Sequence, residues 1–464
     1  MEAMLLTIGF PFFGAVAGLL LPKKYRPAFS VLVLGLTFLM SVIILKGVVR
    51  DRGMLITGGL TNWFNLSFII DGLSVFMAGV ASLLAVLIGV YSLEYLREHE
   101  EKGTFYFWML LFVGSMMGLV FSANLLLTFC FWEITSLCSW RLIGFYRKEK
   151  DIQAANKAFL LTFFGASTML IAIIFIYLNY GTLDFALLRG QPLPDLLAFL
   201  ILVGILSKSA QLPLQSWLPD AMVAPTPVIA LFDAAVLVKI GIFVFARLFG
   251  MVFVASPEFF NTVVLLSVIT IIVAAGSAII ESNMKRILAY STMSQLGYIM
   301  LALGINTATA FRIALLYILA HSLSKAGLFL CVGILEHKSG AKDIGELGGW
   351  LKTMPLTATA YLLCAFSIIG IPPFLGFWPK LLLILEAARE GYIFAAILAV
   401  VGAVFTMFYL FRLFDKVFLG EEKIAVSEEK RSPMVGVVLI LGALSLLLGL
   451  GFKLPFNLIS LLIK

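Results

Sequence analysis

The chain is 464 residues long, 61% hydrophobic and only 13% charged, with a mean hydropathy of +1.06. A soluble domain is about 25% charged, so this composition excludes an ordinary soluble enzyme, a disordered protein and a nucleic-acid binder with a basic face. The formal net charge of +7 matters less than where each charge sits, because one membrane span takes about 20 apolar residues.

Apolar runs between charged or turn-forming clusters predict an all-α polytopic membrane protein of about fourteen spans. In the first half they fall at 3–21, 28–49, 66–93, 104–122, 124–146, 156–180, 195–218 and 225–249. In the second half they fall at 257–281, 284–304, 308–335, 354–390, 391–418 and 434–458. Breakers such as Pro22-Lys23-Lys24, Gln191-Pro192-Leu193-Pro194 and Ser256-Pro257 separate them. The N-terminus lacks a basic leader region, so the first apolar stretch is expected to be a retained span. Only 94–103, 336–352 and 419–433 are long polar connections, too short for a soluble domain. Lys and Arg concentrate in the odd-numbered connections, chiefly 23–26, 147–157, 338–352 and 412–431. The positive-inside rule then places both termini on the outer side of the cell membrane.

Cys130, Cys138, Cys331 and Cys364 lie in apolar segments without metal-type spacing and read as small buried residues. There is no Rossmann or Walker sequence and no haem-attachment site, so neither a cofactor nor a metal is expected, and no catalysis by this polypeptide alone.

Once the basic residues of the connections and the adjoining span ends are set aside, five remain in the apolar interior: Arg141, Lys208, Lys239, Lys325 and Lys380. With them are Glu133, His321, Asp233 and Asp71. A central Lys, Arg or Asp costs about 2.5–3.5 kcal/mol on insertion scales, so these groups must face one another or water. Lys or Arg near a span end can instead snorkel to the headgroups, and Arg141 is open to that reading. Lys208, Lys239 and Lys325 have apolar sequence on both sides, which points to a proton relay. Two spans look broken beside a lysine: one at Lys208-Ser-Ala-Gln-Leu-Pro213, the other at Gly370-Ile-Pro372-Pro373 through Pro379-Lys380. Irregular backbone at membrane depth is tolerated where it is buried or lines a water-filled cavity, and paired broken helices mark inverted repeats in transporters.

An ammonium offers donors only and cannot ligate Na⁺, so if an ion moves along this line of lysines, H⁺ is the candidate. A nearby carboxylate favours the charged lysine, and a Glu–Lys pair is therefore a switch of proton affinity. His321 and Lys325 are spaced i, i+4 and share a helix face. Asp233 and Lys239 are six apart, about 120° around a regular helix, and are expected to face different neighbours. Glu133 and Arg141 are eight apart, roughly 12 Å along the axis, too far to pair.

These residues carry a resemblance. Phe131-Trp132-Glu133, Gly204-Ile-Leu-Ser-Lys208-Ser-Ala-Gln-Leu-Pro213, Trp217-Leu-Pro-Asp220-Ala-Met and Ala224-Pro-Thr-Pro-Val228 resemble the antiporter-like subunits of respiratory complex I. That family also supplies subunits of Mrp-type cation/proton antiporters and membrane-bound hydrogenases. Asp71-Gly-Leu-Ser74, Lys285-Arg-Ile-Leu-Ala-Tyr, Ala320-His321 with Lys325, and Gly370 to Lys380 continue the match over about 65–390. The resemblance implies fourteen helices: three at 1–103, an inverted five-helix repeat at 104–249, a second at 257–418, and a loop with a last helix at 419–464. Each repeat would hold one broken helix. It implies that Glu133 and Lys208 form the switch pair, that Lys239, His321 and Lys325 line a central axis, and that Lys380 is the exit group. Partners would be other membrane subunits, homologous antiporter-like ones among them. H⁺ movement would be coupled to Na⁺ exchange or to redox chemistry elsewhere in the complex.

Asp233 stands where many relatives have histidine, Tyr317 where some carry a second one, and Arg141 where an aliphatic residue is common. Together with Asp71 these are auxiliary candidates. The pattern, and the end at 464 without a long lateral helix, lean towards the Mrp-D and middle complex I type. A rival reading is a Na⁺-handling or structural spacer subunit relying on Asp71, Thr128 and Ser136. A redox or quinone-binding enzyme finds no haem, flavin or metal motif to support it.

Overall fold

The computed structural model describes residues 2–51, 54–59 and 65–463. Among them, twelve helices are long and apolar enough to cross a membrane. In sequence order these include α1 (Glu2–Leu20), α2 (Arg26–Asp51), α3 (Gly72–Tyr95), α4 (Lys102–Phe121), α5 (Leu125–Ile143) and α6 (Glu149–Tyr180). The seventh span is broken into α7a (Asp195–Lys208) and α7b (Trp217–Asp220). Then come α8 (Thr226–Val252), α9 (Pro257–Ile280), α10 (Met284–Ile305) and α11 (Ala308–Ser339). The twelfth span is also broken, into α12a (Pro355–Ile369) and α12b (Phe377–Arg389), before α13 (Ile393–Phe418) and α14 (Pro433–Leu450). Twelve continuous spans and two broken ones make the fourteen that the apolar runs predict.

Two boundaries differ from expectation. The third span begins at Gly72, because Asn65–Ile70 is a strand paired antiparallel with Met54–Gly59. That strand is apolar enough to merge with the following span when only hydropathy is read. The last span ends at Leu450, and a short amphipathic helix, α15 (Lys453–Leu462), follows the turn at Gly451.

Burial divides the bundle into centre and rim. The most apolar windows of α8, α10 and α11 are 100%, 94% and 94% buried, whereas those of α6 and α13 are 39% buried. Three helices therefore sit where side chains see only protein, and two of them, α8 and α11, carry Asp233, Lys239, His321 and Lys325. α8 is not a regular helix: Leu231–Ala235 is a π turn, closed by the Val236 amide donating to the Leu231 carbonyl at 2.9 Å. Such wide turns occur mostly as isolated bulges, frequently at functional sites.

The half-helix α7a is clamped between α6 and α8. A Cβ at Gly241 of α8 would stand 2.1 Å from the Ser209 hydroxyl and 2.7 Å from the Ile205 carbonyl. Only glycine lets the two backbones approach so closely. Gly241→Ala is expected to destabilise by about 1–3 kcal/mol, the usual cost of overpacking, read as a lower melting temperature in detergent. Beyond the break, Asp220 of α7b accepts from Lys157 at 2.6 Å and Arg286 at 3.2 Å. Arg286 in turn binds Glu281 at 2.8 Å. Burial works to raise the Glu281 carboxyl, but Arg286 and the amides of Asn283 and Ser282 outweigh it and hold it below the usual carboxylate range. This exposed ionic strap ties the far half of the broken span to α6 and α10.

Candidate functional site

Lys208 is the last residue of α7a and is fully buried. Its Nζ donates to the Ser136 hydroxyl at 2.7 Å and the Trp132 carbonyl at 3.4 Å, both on α5, and lies 5.3 Å from the Trp132 ring centre. Glu133, on the same helix, interacts with Lys208 electrostatically. No direct hydrogen bond joins them, and Glu133 Oε1 is buried without a protein partner. The pair is thus adjacent but open, with a hydroxyl holding the ammonium. Arg141 takes no part: it stacks over Trp108 at 6.0 Å.

At the centre, four ionisable groups converge. Lys239 Nζ donates to the Asp233 carbonyl at 2.7 Å, and the Asp233 carboxylate interacts with both Lys325 and Lys239. The expectation that Asp233 and Lys239 face different neighbours is therefore corrected. The π turn that contains Asp233 shifts the helical phase and brings the lysine back over it. His321 stands near Lys239 and Lys325 and senses both charges. Lys325 Nζ donates to the Leu288 carbonyl of α10 at 3.0 Å. Both His321 ring nitrogens are buried with no protein hydrogen bond, and the Asp233 carboxylate faces the Thr292 hydroxyl.

Lys380 senses Lys325 through charge and sits in the second break. Its Nζ donates to the carbonyls of Ile368 at 2.8 Å and Ile369 at 3.1 Å, and lies 4.9 Å from the Tyr298 ring centre. These carbonyls belong to the last turn of α12a, which ends at Gly370 with a φ of +90°. A helix C-terminus offers unpaired carbonyls and partial negative charge, so the break itself builds the ammonium's cradle. Tyr317 stacks on Tyr298 at 5.8 Å and donates to Gln295 at 2.8 Å, which bonds Thr406 at 3.3 Å. That polar thread meets the Lys380 site at the Tyr298 ring.

Asp71 is corrected to a different place. It caps the N-terminus of α3, accepting from the Ser74 amide at 2.9 Å, and forms a two-point ion pair with Arg247. In the sequence Arg247 reads as a span-end residue, yet its side chain is 3% exposed. Lys285 and Glu336 likewise read as parts of connections, although they form an ion pair only 8% and 16% exposed. A basic and an acidic residue near the ends of apolar helices is the available signal, but their partners lie too far away in sequence to be read.

The sequence family described as "NADH:quinone oxidoreductase/Mrp antiporter, TM" matches residues 122–406, and "NADH-Ubiquinone oxidoreductase (complex I), chain 5 N-terminus" matches 59–107. Similar curated proteins include the Na(+)/H(+) antiporter subunit A1 of Staphylococcus saprophyticus, 35% identical over 413 residues. That alignment covers 81% of this chain and 51% of the relative. The Staphylococcus aureus subunit A1 is 35% identical over 399 residues, covering 78% and 50%. The sequence thus spans about half the length of these curated relatives. A subunit in the structure of the Mrp complex from a Dietzia species shares the fold, with a TM-score of 0.91 at 24% identity, covering 100% of this chain and 97% of that one.

Proposed function

The chain belongs to the antiporter-like transmembrane family shared by NADH:quinone oxidoreductase and Mrp antiporters and is a multi-pass membrane protein; from that premise we propose that it translocates protons within a multisubunit membrane complex. The proton would pass along Glu133/Lys208, Lys239 with Asp233, His321, Lys325 and Lys380. The orientation proposed with it puts both termini outside, following the basic connections. Homologous antiporter-like subunits would be among its partners, and a cation-transport or redox module elsewhere in the complex would supply the coupling.

One observation carries this reading. Four fully or almost fully buried lysines are held by carbonyls or a hydroxyl rather than locked in direct ion pairs. Such an ammonium can release its proton without breaking a salt bridge. Buried polar atoms without a protein partner accompany the line, at Glu133, Ser209, Gln211 and His321. Buried polar groups demand partners, and bridging waters supply them, which is the medium a relay between separated lysines needs.

The Na⁺-handling reading has less support. The Ser136 hydroxyl is engaged by Lys208, the Thr128 hydroxyl donates to the Asn124 carbonyl at 2.9 Å, and Asp71 is taken by Arg247. The test is parallel H⁺ and Na⁺ flux in membrane vesicles that contain the assembled complex. Glu133→Ala and Lys208→Ala are expected to abolish H⁺ transport while assembly survives. Lost Na⁺ flux with unchanged H⁺ flux would instead favour the spacer, and full activity in both variants would overturn the relay.

A further inference from the structure

Among the described residues, two strongly buried ion pairs lie at opposite ends of the bundle. Arg247 near the end of α8 binds Asp71, the cap of α3, and donates to the Ser74 hydroxyl at 2.7 Å. A guanidinium keeps its proton in proteins, so this end is a fixed latch. At the other end Lys285, at the start of α10, pairs with Glu336, near the end of α11. Both members of this second pair can gain or lose a proton.

The position of the second pair relates it to the axis. Glu336 and Lys325 are eleven residues apart on α11, which places them on one face about 16 Å apart. Lys285 stands one turn from Leu288, whose carbonyl holds Lys325. The pair therefore caps the same α10–α11 seam that carries the central lysine. Beside it is a cavity of about 10 Å³ lined by Asn283, Lys285, Val332, Glu336 and the exposed Lys342, among others, close to the space of a single water. Thr226, at the start of α8, approaches Glu336 at 3.5 Å and Tyr95 at 3.4 Å. All these groups sit at the end where the basic connections gather.

We propose that the Lys285–Glu336 pair is a proton port, exchanging protons between the aqueous phase at this end and Lys325; it rests on the relay reading above. A proton taken up by the Glu336 carboxylate neutralises it and frees the Lys285 ammonium. Lys285 passes its own proton inward through water and recovers one from Glu336. One proton enters, one moves on, and the ion pair is restored.

The decisive variant is Lys285→Arg, which keeps the charge and the ion pair but cannot release a proton. Proton flux is measured in vesicles carrying the whole complex, with Lys208→Ala alongside and the amount of assembled subunit determined for each. Lys285→Arg and Glu336→Gln are expected to fall to about one-hundredth of wild-type flux or less, on the scale of losing a positioned proton-transfer group. Glu336→Asp, which keeps a carboxylate, transports more than Glu336→Gln. Wild-type flux in Lys285→Arg with lost flux in Lys208→Ala overturns the port and leaves the relay standing. Wild-type flux in Lys208→Ala overturns the relay and the port with it.

Discussion

Lys325→Ala is expected to reduce proton transport by about a hundredfold, the scale of removing a positioned proton-transfer group. Lys325 is the group on which the second half of the line converges: Asp233, Lys239, His321 and Lys380 all interact with it through charge. Its removal separates the central cluster from Lys380. Lys325→Arg is expected to fail similarly, because a guanidinium supplies the charge but keeps its proton. The two variants together separate charge from proton exchange. Proton uptake by vesicles, normalised to assembled complex, reads both. Wild-type transport by Lys325→Arg would show that only the positive charge is needed there.

Arg247→Ala is expected to cost about 3–5 kcal/mol of stability, the usual penalty for breaking a buried ion pair from one side. The Asp71 carboxylate would be left at the head of α3 without its cation, and Ser74 would lose its donor. Replacing Asp71 and Arg247 together by apolar residues of similar size is expected to recover most of the loss, because no charge is then stranded. Melting temperatures in detergent give both values. The single variant falling no further than the double one would contradict the assignment of Arg247 as a latch.

Much of this was legible in the residues because charge inside an apolar run is conspicuous. Lys208, Lys239, Lys325 and Lys380 are such exceptions, and prolines beside two of them mark the breaks. The fold was legible for the same reason, since a span must satisfy its backbone internally and so reads as one apolar run. Phase and pairing were not legible. The π turn at Leu231–Ala235 rotates Lys239 back over Asp233, and ideal helix geometry gives no warning of it. The Arg247–Asp71 and Lys285–Glu336 pairs join residues far apart in sequence, so each member alone resembles a span-end charge. Ser136 reads in the sequence as a hydroxyl that a Na⁺-handling subunit could use, while its 2.7 Å contact with Lys208 makes it the ammonium's holder.

If protons cross the membrane along these buried lysines, none can cross once Lys208 is gone. The most direct measurement is the internal pH of proteoliposomes carrying the assembled complex with Lys208→Ala as the sole change. The expected result is a pH change no greater than the leak of protein-free vesicles, with the complex intact. A pH change equal to that of the wild-type complex would contradict it.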